Sequence, residues 1–394
     1  MKANSNRLFF IDAMRAWAIL MMLQGHFIDG LLDTLFRDPN NLFYTTWRYF
    51  RGITAPVFFT VSGFIFTYLL IRAKGDGLQN PRIKKGLKRG LQLICIGYLL
   101  RLNLFGLFVG EVYDAFYLVD VLHCIGLSLI AIIGIYLLSS KKNAYLFPAI
   151  LFGITLILFL FEPIYKRWTF AFLPDAIANY FTKSNGSVFT IIPWLGYTTL
   201  GGFISILFLK FKEVKRFYPK AISIAAVLGL LLIFTSSDAF VFLFEQTGIE
   251  LFKRIELNNY LFIRLGDVFI VFAIFMIFRG MMTNKTILKV GANTLSIYVI
   301  HFVILYGSFT GLGLYRFLHH SLDPFTVVFG AVAFMLACTF LALKYAKHET
   351  EIKYQLGFMT NSLKRETSSL LTAAYSSSKN LLFKLRSLLS RTRG

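Results

Sequence analysis

The sequence predicts an all-α, polytopic integral membrane protein with about ten transmembrane helices and both termini in the cytoplasm. Three observations lead there. The 394-residue chain is 56% apolar and 17% aromatic with a mean hydropathy of +0.64, well above a soluble domain. The apolar residues fall in blocks, and a span of the roughly 30 Å hydrocarbon core takes about 20 of them. The cations behind the net charge of +21 collect in every second loop, as cytoplasmic loops do, so the charge is not a nucleic-acid signal.

The blocks lie at residues 8–34, 52–72, 88–109, 116–139, 144–162, 188–209, 219–236, 260–279, 286–308 and 324–345. The first starts in MKANSNRLFFIDAMRAW, which has a basic start but no small-residue cleavage site, so it reads as a retained helix. RAKGDGLQNPRIKKGLKRG follows the second block, SSKKN the fourth, KFKEVKRFYPK the sixth and FRGMMTNK the eighth, all strongly basic. Alternate connections such as SSDAFVFLFEQTGIELFKRIELNN are mixed or acidic. Residues 1–346 form the transmembrane domain and 347–394 a basic cytoplasmic tail. In that tail NLLFKLRSLLSR sets leucines at helical spacing, readable as a membrane-surface helix or as a solvated tail. Cys95, Cys124 and Cys338 all lie inside blocks as small apolar residues, without zinc or disulfide spacing, and no metal is expected. A glycine-rich phosphate loop is absent.

Chemistry concentrates in the first block. Eleven residues at 100° each return to within about 20° of one direction with a rise of about 16 Å, so Arg15 and His26 share a face. Asp12, Asp29 and Asp33 lie near it. An ionisable group at membrane depth costs at least about 2.5 kcal/mol, so such a stripe faces partners or a polar cavity. A purely structural network, with Asp12 paired to Arg15 and His26 satisfied by a neighbouring helix, is the bland alternative. With the N-terminus inside, Arg15 sits toward the cytoplasm and His26 toward the outer half. Basic groups at the inner mouth suit the phosphates of an acyl-CoA, and an imidazole at the far end suits a general base.

The stretch RLFFIDAMRAWAILMMLQGHF resembles the first-helix signature of the membrane-bound acyltransferase family three, an arginine and a histidine separated by ten residues. PVFFTVSGF resembles that family's second-helix motif and GANTLSIYVIH its late Ser, Tyr, His segment. YLVDVLHCIGLSLI and the hydropathy layout resemble the related heparan-α-glucosaminide N-acetyltransferase-like proteins. Those place a functional histidine in the loop after the first helix; here no histidine lies between His26 and His123, which favours family three. The resemblance implies transfer of an acyl group, usually acetyl, from cytoplasmic acetyl-CoA or another acyl-CoA to a glycan or glycolipid acceptor on the outer side, as in polysaccharide modification of a cell envelope. Carried over, His26 is the catalytic imidazole and Arg15 the motif arginine, Ser62 and Gly63 match the second motif, and Tyr298 and His301 the late one.

Around that frame, Arg15, Ser62 and Arg89 are expected to hold the acyl-CoA. Asp29, Trp47, Arg48, Arg51, Asp120, His123, Tyr298 and His301 are expected at the acceptor. Trp47, Arg48 and Arg51 read as an outer loop, WRYFRGITAP, with aromatic surfaces for a sugar or, alternatively, an interfacial anchor. His123 follows Asp120 by three, so a carboxylate can orient an imidazole, in a site or in a local hydrogen bond. Arg264 and Asp267, also three apart, read as a structural ion pair. Expected partners are membrane lipids and a second copy of the chain, with no nucleic acid. The basic loops fit a bacterial inner membrane or an intracellular eukaryotic one. A transporter or flippase using the same polar cavity is the competing reading.

Overall fold

The computed structural model describes residues 7–139, 143 and 145–355, so the leucine-rich segment of the tail lies outside the described residues. Helices account for all the regular structure among these residues, with no strand. The long elements are α1 (Phe9–Leu31), α2 (Leu42–Arg72), α3 (Pro81–Arg101), α4 (Val121–Ser139), α5 (Leu146–Leu160), α6 (Ile191–Phe211), α7 (Phe217–Thr247) and α8 (Tyr260–Ile277). After them come α9 (Lys285–Ala292), α10 (Thr294–Tyr306) and α11 (Pro324–Gln355). Contacts divide the chain into two units, Met1–Leu341 and Ala342–Gly394, the second helical through Gln355.

Each of the ten apolar blocks is helical, but the limits move for local reasons. Asn41 accepts from the Tyr44 N–H and caps α2 ten residues before the expected start, so Trp47, Arg48 and Arg51 lie in a helix rather than a loop. Asn80 accepts from the Arg82 N–H with Pro81 in the first turn, so the basic run that reads as a loop forms the start of α3. α1 stops at Leu31, and Asp33 lies beyond it, accepting from the Leu35 N–H to cap a short turn. α7 runs to Thr247, where Gly248 at φ +68° ends it in the left-handed region that glycine adopts readily. The ninth block is broken after Ala292 into α9 and α10, bent by 70°.

Among the described residues, six helical segments are long and apolar enough to cross a membrane, or seven if the bent pair counts as one span. The rest of the expected ten differ for a physical reason. α5 has 15 residues. α1 and α3 have the length, 23 and 21 residues, but α1 carries Asp12, Arg15, Gln24, His26 and Asp29, and α3 carries Arg82, Lys84, Lys85, Lys88, Arg89 and Arg101. α1 and α3, which fall short by polarity rather than by length, both carry candidate-site residues.

Backbones approach closely where glycines meet. A Cβ at Gly63 would overlap the Thr198 carbonyl, and one at Gly201 the Thr60 carbonyl, so α2 and α6 cross with nothing between them. Gly90 and Gly126 do the same for α3 and α4, and Gly229 and Gly266 for α7 and α8, each lying against the other's carbonyl. Hydrocarbon tails are as apolar as leucine, so helices in lipid gain from such close packing rather than from burial against water. A polar pin joins α2 to α8: the Tyr49 hydroxyl donates to Asp267 at 2.8 Å, while Arg264 donates to the same carboxylate at 2.9 Å and lies 4.4 Å from the Tyr49 ring centroid.

Gly201→Ala is expected to cost at least about 1–3 kcal/mol through overpacking and to lower the thermal unfolding midpoint in detergent. Gly153→Ala, where a Cβ meets open space, should leave the midpoint unchanged or raise it.

Candidate active site

α1, α2, α3 and α10 line two cavities spaced along the polar face of α1, with α4 adding Leu122, Ile125 and Leu129 to the first. The first, about 300 Å³, is lined by Arg15 of α1, Ser62 of α2, Arg82, Lys85 and Arg89 of α3, and Thr294 and Tyr298 of α10. Four cations reach it and no carboxylate lines it. Arg15 is held in place: its Nη2 donates to Thr294 Oγ1 at 3.1 Å and its Nη1 lies 3.7 Å from Asp12. The Asp12 carboxylate is itself shared with Arg7, whose Nε donates at 2.6 Å. The Ser62 hydroxyl donates to the Phe58 carbonyl one turn back, at 2.7 Å. Arg82, Lys85 and Arg89 stand at i, i+3 and i+7, one face of a helix, while Lys84 and Lys88 do not line the cavity.

The second cavity, about 640 Å³, is lined by His26, Asp29, Arg51, Arg101, Asp120, Tyr298 and Tyr306 among others. His26 Nδ1 lies 3.2 Å from Nε2 of His301, a hydrogen bond in which one ring donates and the other accepts. His301 is fully buried, and its ring packs at 4.8 Å against Tyr298, three residues earlier. With Nδ1 engaged, Nε2 is the nitrogen His26 has left for chemistry. The charges here are matched: Arg51 donates to Asp29 at 2.7 Å, and Arg101 Nε lies 3.4 Å from Asp120, which also bonds His123 Nδ1 at 3.0 Å. Buried Tyr298, 2% exposed, lines both cavities and stands between them.

Most residues picked out by sequence gather at these cavities, and four do not line them. His301 and His123 sit one layer back, behind His26 and Asp120, with His123 fully buried and edge-on to Tyr98 at 4.4 Å. Trp47 donates to Gln24 at 2.8 Å and faces a different crevice beside Phe43 and Phe50. Arg48 lies 6.0 Å from the Tyr44 ring centroid. Trp47 and Arg51, one helical turn apart, both reach α1, Trp47 at Gln24 and Arg51 at Asp29, and of the two only Arg51 lines the second cavity. Sequence reasoning missed Arg101, Thr294 and Tyr306. It weighed the run Arg82, Lys84, Lys85, Lys88 and Arg89 for CoA phosphates but kept only Arg89, because reading the run as a loop hid the helical spacing that sets Arg82 and Lys85 beside it. Arg101 fell inside a block taken as uniformly apolar.

His301→Ala should leave His26 without its Nδ1 partner and lower activity while the fold persists; His301→Gln, which keeps a polar group in reach, should recover part of it. Paired assays on the two variants check this.

Residues 8–344 match the model of acyltransferase family 3, described as an acyltransferase domain. That match covers α1 through most of α11 and both cavities, and it does not extend to the heparan-type subgroup. Among curated proteins no match is found. With six to seven membrane-length helices among the described residues and a match over most of its length, this chain belongs to acyltransferase family 3 and is a transmembrane acyltransferase.

Proposed function

We propose that this acyltransferase carries an acyl group, acetyl in the simplest case, from cytoplasmic acyl-CoA to a hydroxyl or amine of a glycan or glycolipid on the outer side of the membrane. The observation that carries the reading is the pairing of two unlike cavities through Tyr298: four cations and no carboxylate on one side, a half-buried histidine on the other. The donor occupies the first and the acceptor the second. Coenzyme A bears several phosphate charges, and charge-assisted hydrogen bonds from Arg82, Lys85 and Arg89 suit them. Basic alternate loops support a ten-span topology with Arg15 toward the cytoplasm and His26 toward the far side.

In this reading the pantetheine arm passes Tyr298 and delivers the thioester to His26. Nε2 accepts the proton of the acceptor hydroxyl as its oxygen attacks the thioester carbonyl carbon. The C–S bond breaks as the C–O bond forms, and the proton returns to the departing CoA thiolate. An acyl-histidine at the same nitrogen splits this into two transfers with the same overall balance. His301 orients the imidazole in both. Arg51 and Arg101, held against carboxylates, offer their remaining N–H groups to acceptor oxygens.

Purified protein in detergent, incubated with radiolabelled acetyl-CoA and a cell-envelope glycan or lipid fraction, tests the reading. Wild type should label the acceptor, and His26→Ala should lose about 10²–10⁴-fold of the rate while remaining folded. Absence of both CoA binding and CoA release from either protein would overturn it. Lys85→Ala is expected to weaken CoA binding about tenfold, the scale of one lost charged hydrogen bond, with a shallower salt dependence by calorimetry. Tyr298→Trp, which narrows the junction, should slow transfer by up to about 10²-fold with CoA affinity little changed.

A further inference from the structure

A third cavity, about 730 Å³, lies among α6, α7 and α8, away from both site cavities. Its volume falls within the about 300–1,000 Å³ of ligand pockets. Buried Phe10, Phe64, Phe208 and Phe272 form its inner wall, while Leu207, Phe211, Ile224 and Leu228 are exposed at its rim. Every lining residue but one is apolar, and the exception is Lys220. The slot runs along α7 from Lys220 to Leu228, a rise of about 12 Å.

Its open end is basic. Lys215, Arg216 and Lys220 lie in the connection KFKEVKRFYPK or the first turn of α7 and form no ion pair among the described residues. Glu213, the only acid in that segment, is taken by Lys212 at 3.3 Å. Arg279, three residues past the lining Met276, lies 4.1 Å from the ring centroid of Tyr218 and donates to the Met276 carbonyl at 2.8 Å. α7 is the least buried of the membrane-length helices, with 17% of its apolar 18-residue stretch buried against 72% for α2, so the slot opens on a lipid-facing helix.

From this arrangement we infer that the slot is a binding site for an anionic glycerophospholipid, one acyl chain lying along Phe208 and Ala225 and the phosphate headgroup meeting Lys220, Lys215 and Arg216. The apolar wall fits a hydrocarbon chain, which needs no hydrogen bonds. The unpaired cations select net negative charge, as juxtamembrane basic clusters do at anionic leaflets. The site is separate from the transfer site, and its test does not depend on the reaction proposed above.

Native mass spectrometry of the full chain in mild detergent, titrated with phosphatidylglycerol or with phosphatidylcholine of the same chains, reads it directly. One phosphatidylglycerol per chain should be retained, at least about fivefold more tightly than phosphatidylcholine. Lys220→Glu, at an exposed position, should abolish that preference without touching the fold. Ala225→Phe, which fills the slot at a 7% exposed residue, should remove the retained lipid. Equal affinity for the two lipids in wild type, or a retained lipid indifferent to Lys220→Glu, would overturn the proposal. A chain that takes no lipid and instead runs as a dimer would overturn it in favour of a second copy on that face.

Discussion

An arginine and a histidine on one face of an otherwise apolar helix packed among other helices persist only if those helices bring them partners, and the arrangement around α1 follows from that constraint. Asp12 and Thr294 hold Arg15, His301 holds His26, and Arg51 and Arg37 hold Asp29. Each partner but Asp12 and Arg37 comes from α2 or α10. An unpaired charge in hydrocarbon is costly, so the polar stripe dictates which helices must surround it. The same contacts that satisfy α1 build the walls of the two cavities.

Close helix approach makes those contacts reachable. A Cβ at Gly291 would overlap the Asp12 carbonyl, so α9 touches α1 directly and the bend after Ala292 turns α10 to present Thr294, Tyr298 and His301 along the α1 stripe. Gly97 on α3 leaves room for the His123 ring, which lies where a Cβ would stand. His123 then holds Asp120 against Arg101 at the edge of the second cavity. Packing and site share one cause: small residues let backbones come within reach of polar side chains that would otherwise face lipid.

The two cavities differ in how their charge is balanced. Where Arg15, Arg82, Lys85 and Arg89 meet no lining carboxylate, the field favours a polyanion with little demand on its shape. Where Arg51 and Arg101 are matched by Asp29 and Asp120, the net field is weak, and hydrogen-bond geometry rather than charge would govern what binds there, as the proposed hydroxylated acceptor requires. The basic lip of the α7 slot repeats the first logic at the protein surface, where the proposed lipid phosphate would be the anion.

The sequence by itself determined the helical class, the presence of a helix at each apolar block, the shared face of Arg15 and His26, and the family through its first-helix pattern. These follow from local facts: apolar run length, a 3.6-residue period, and the spacing of two polar residues on one helix. Helix limits were less legible, because Asn41 and Asn80 cap their helices through backbone contacts that apolar counting does not register. Only the tertiary structure decided that His301 reaches His26, that Tyr298 separates two cavities, that Arg101 joins the site and that Trp47 and Arg48 do not line it. Those outcomes depend on which helices cross closely and how each is rotated, and glycines on partners distant in sequence set both.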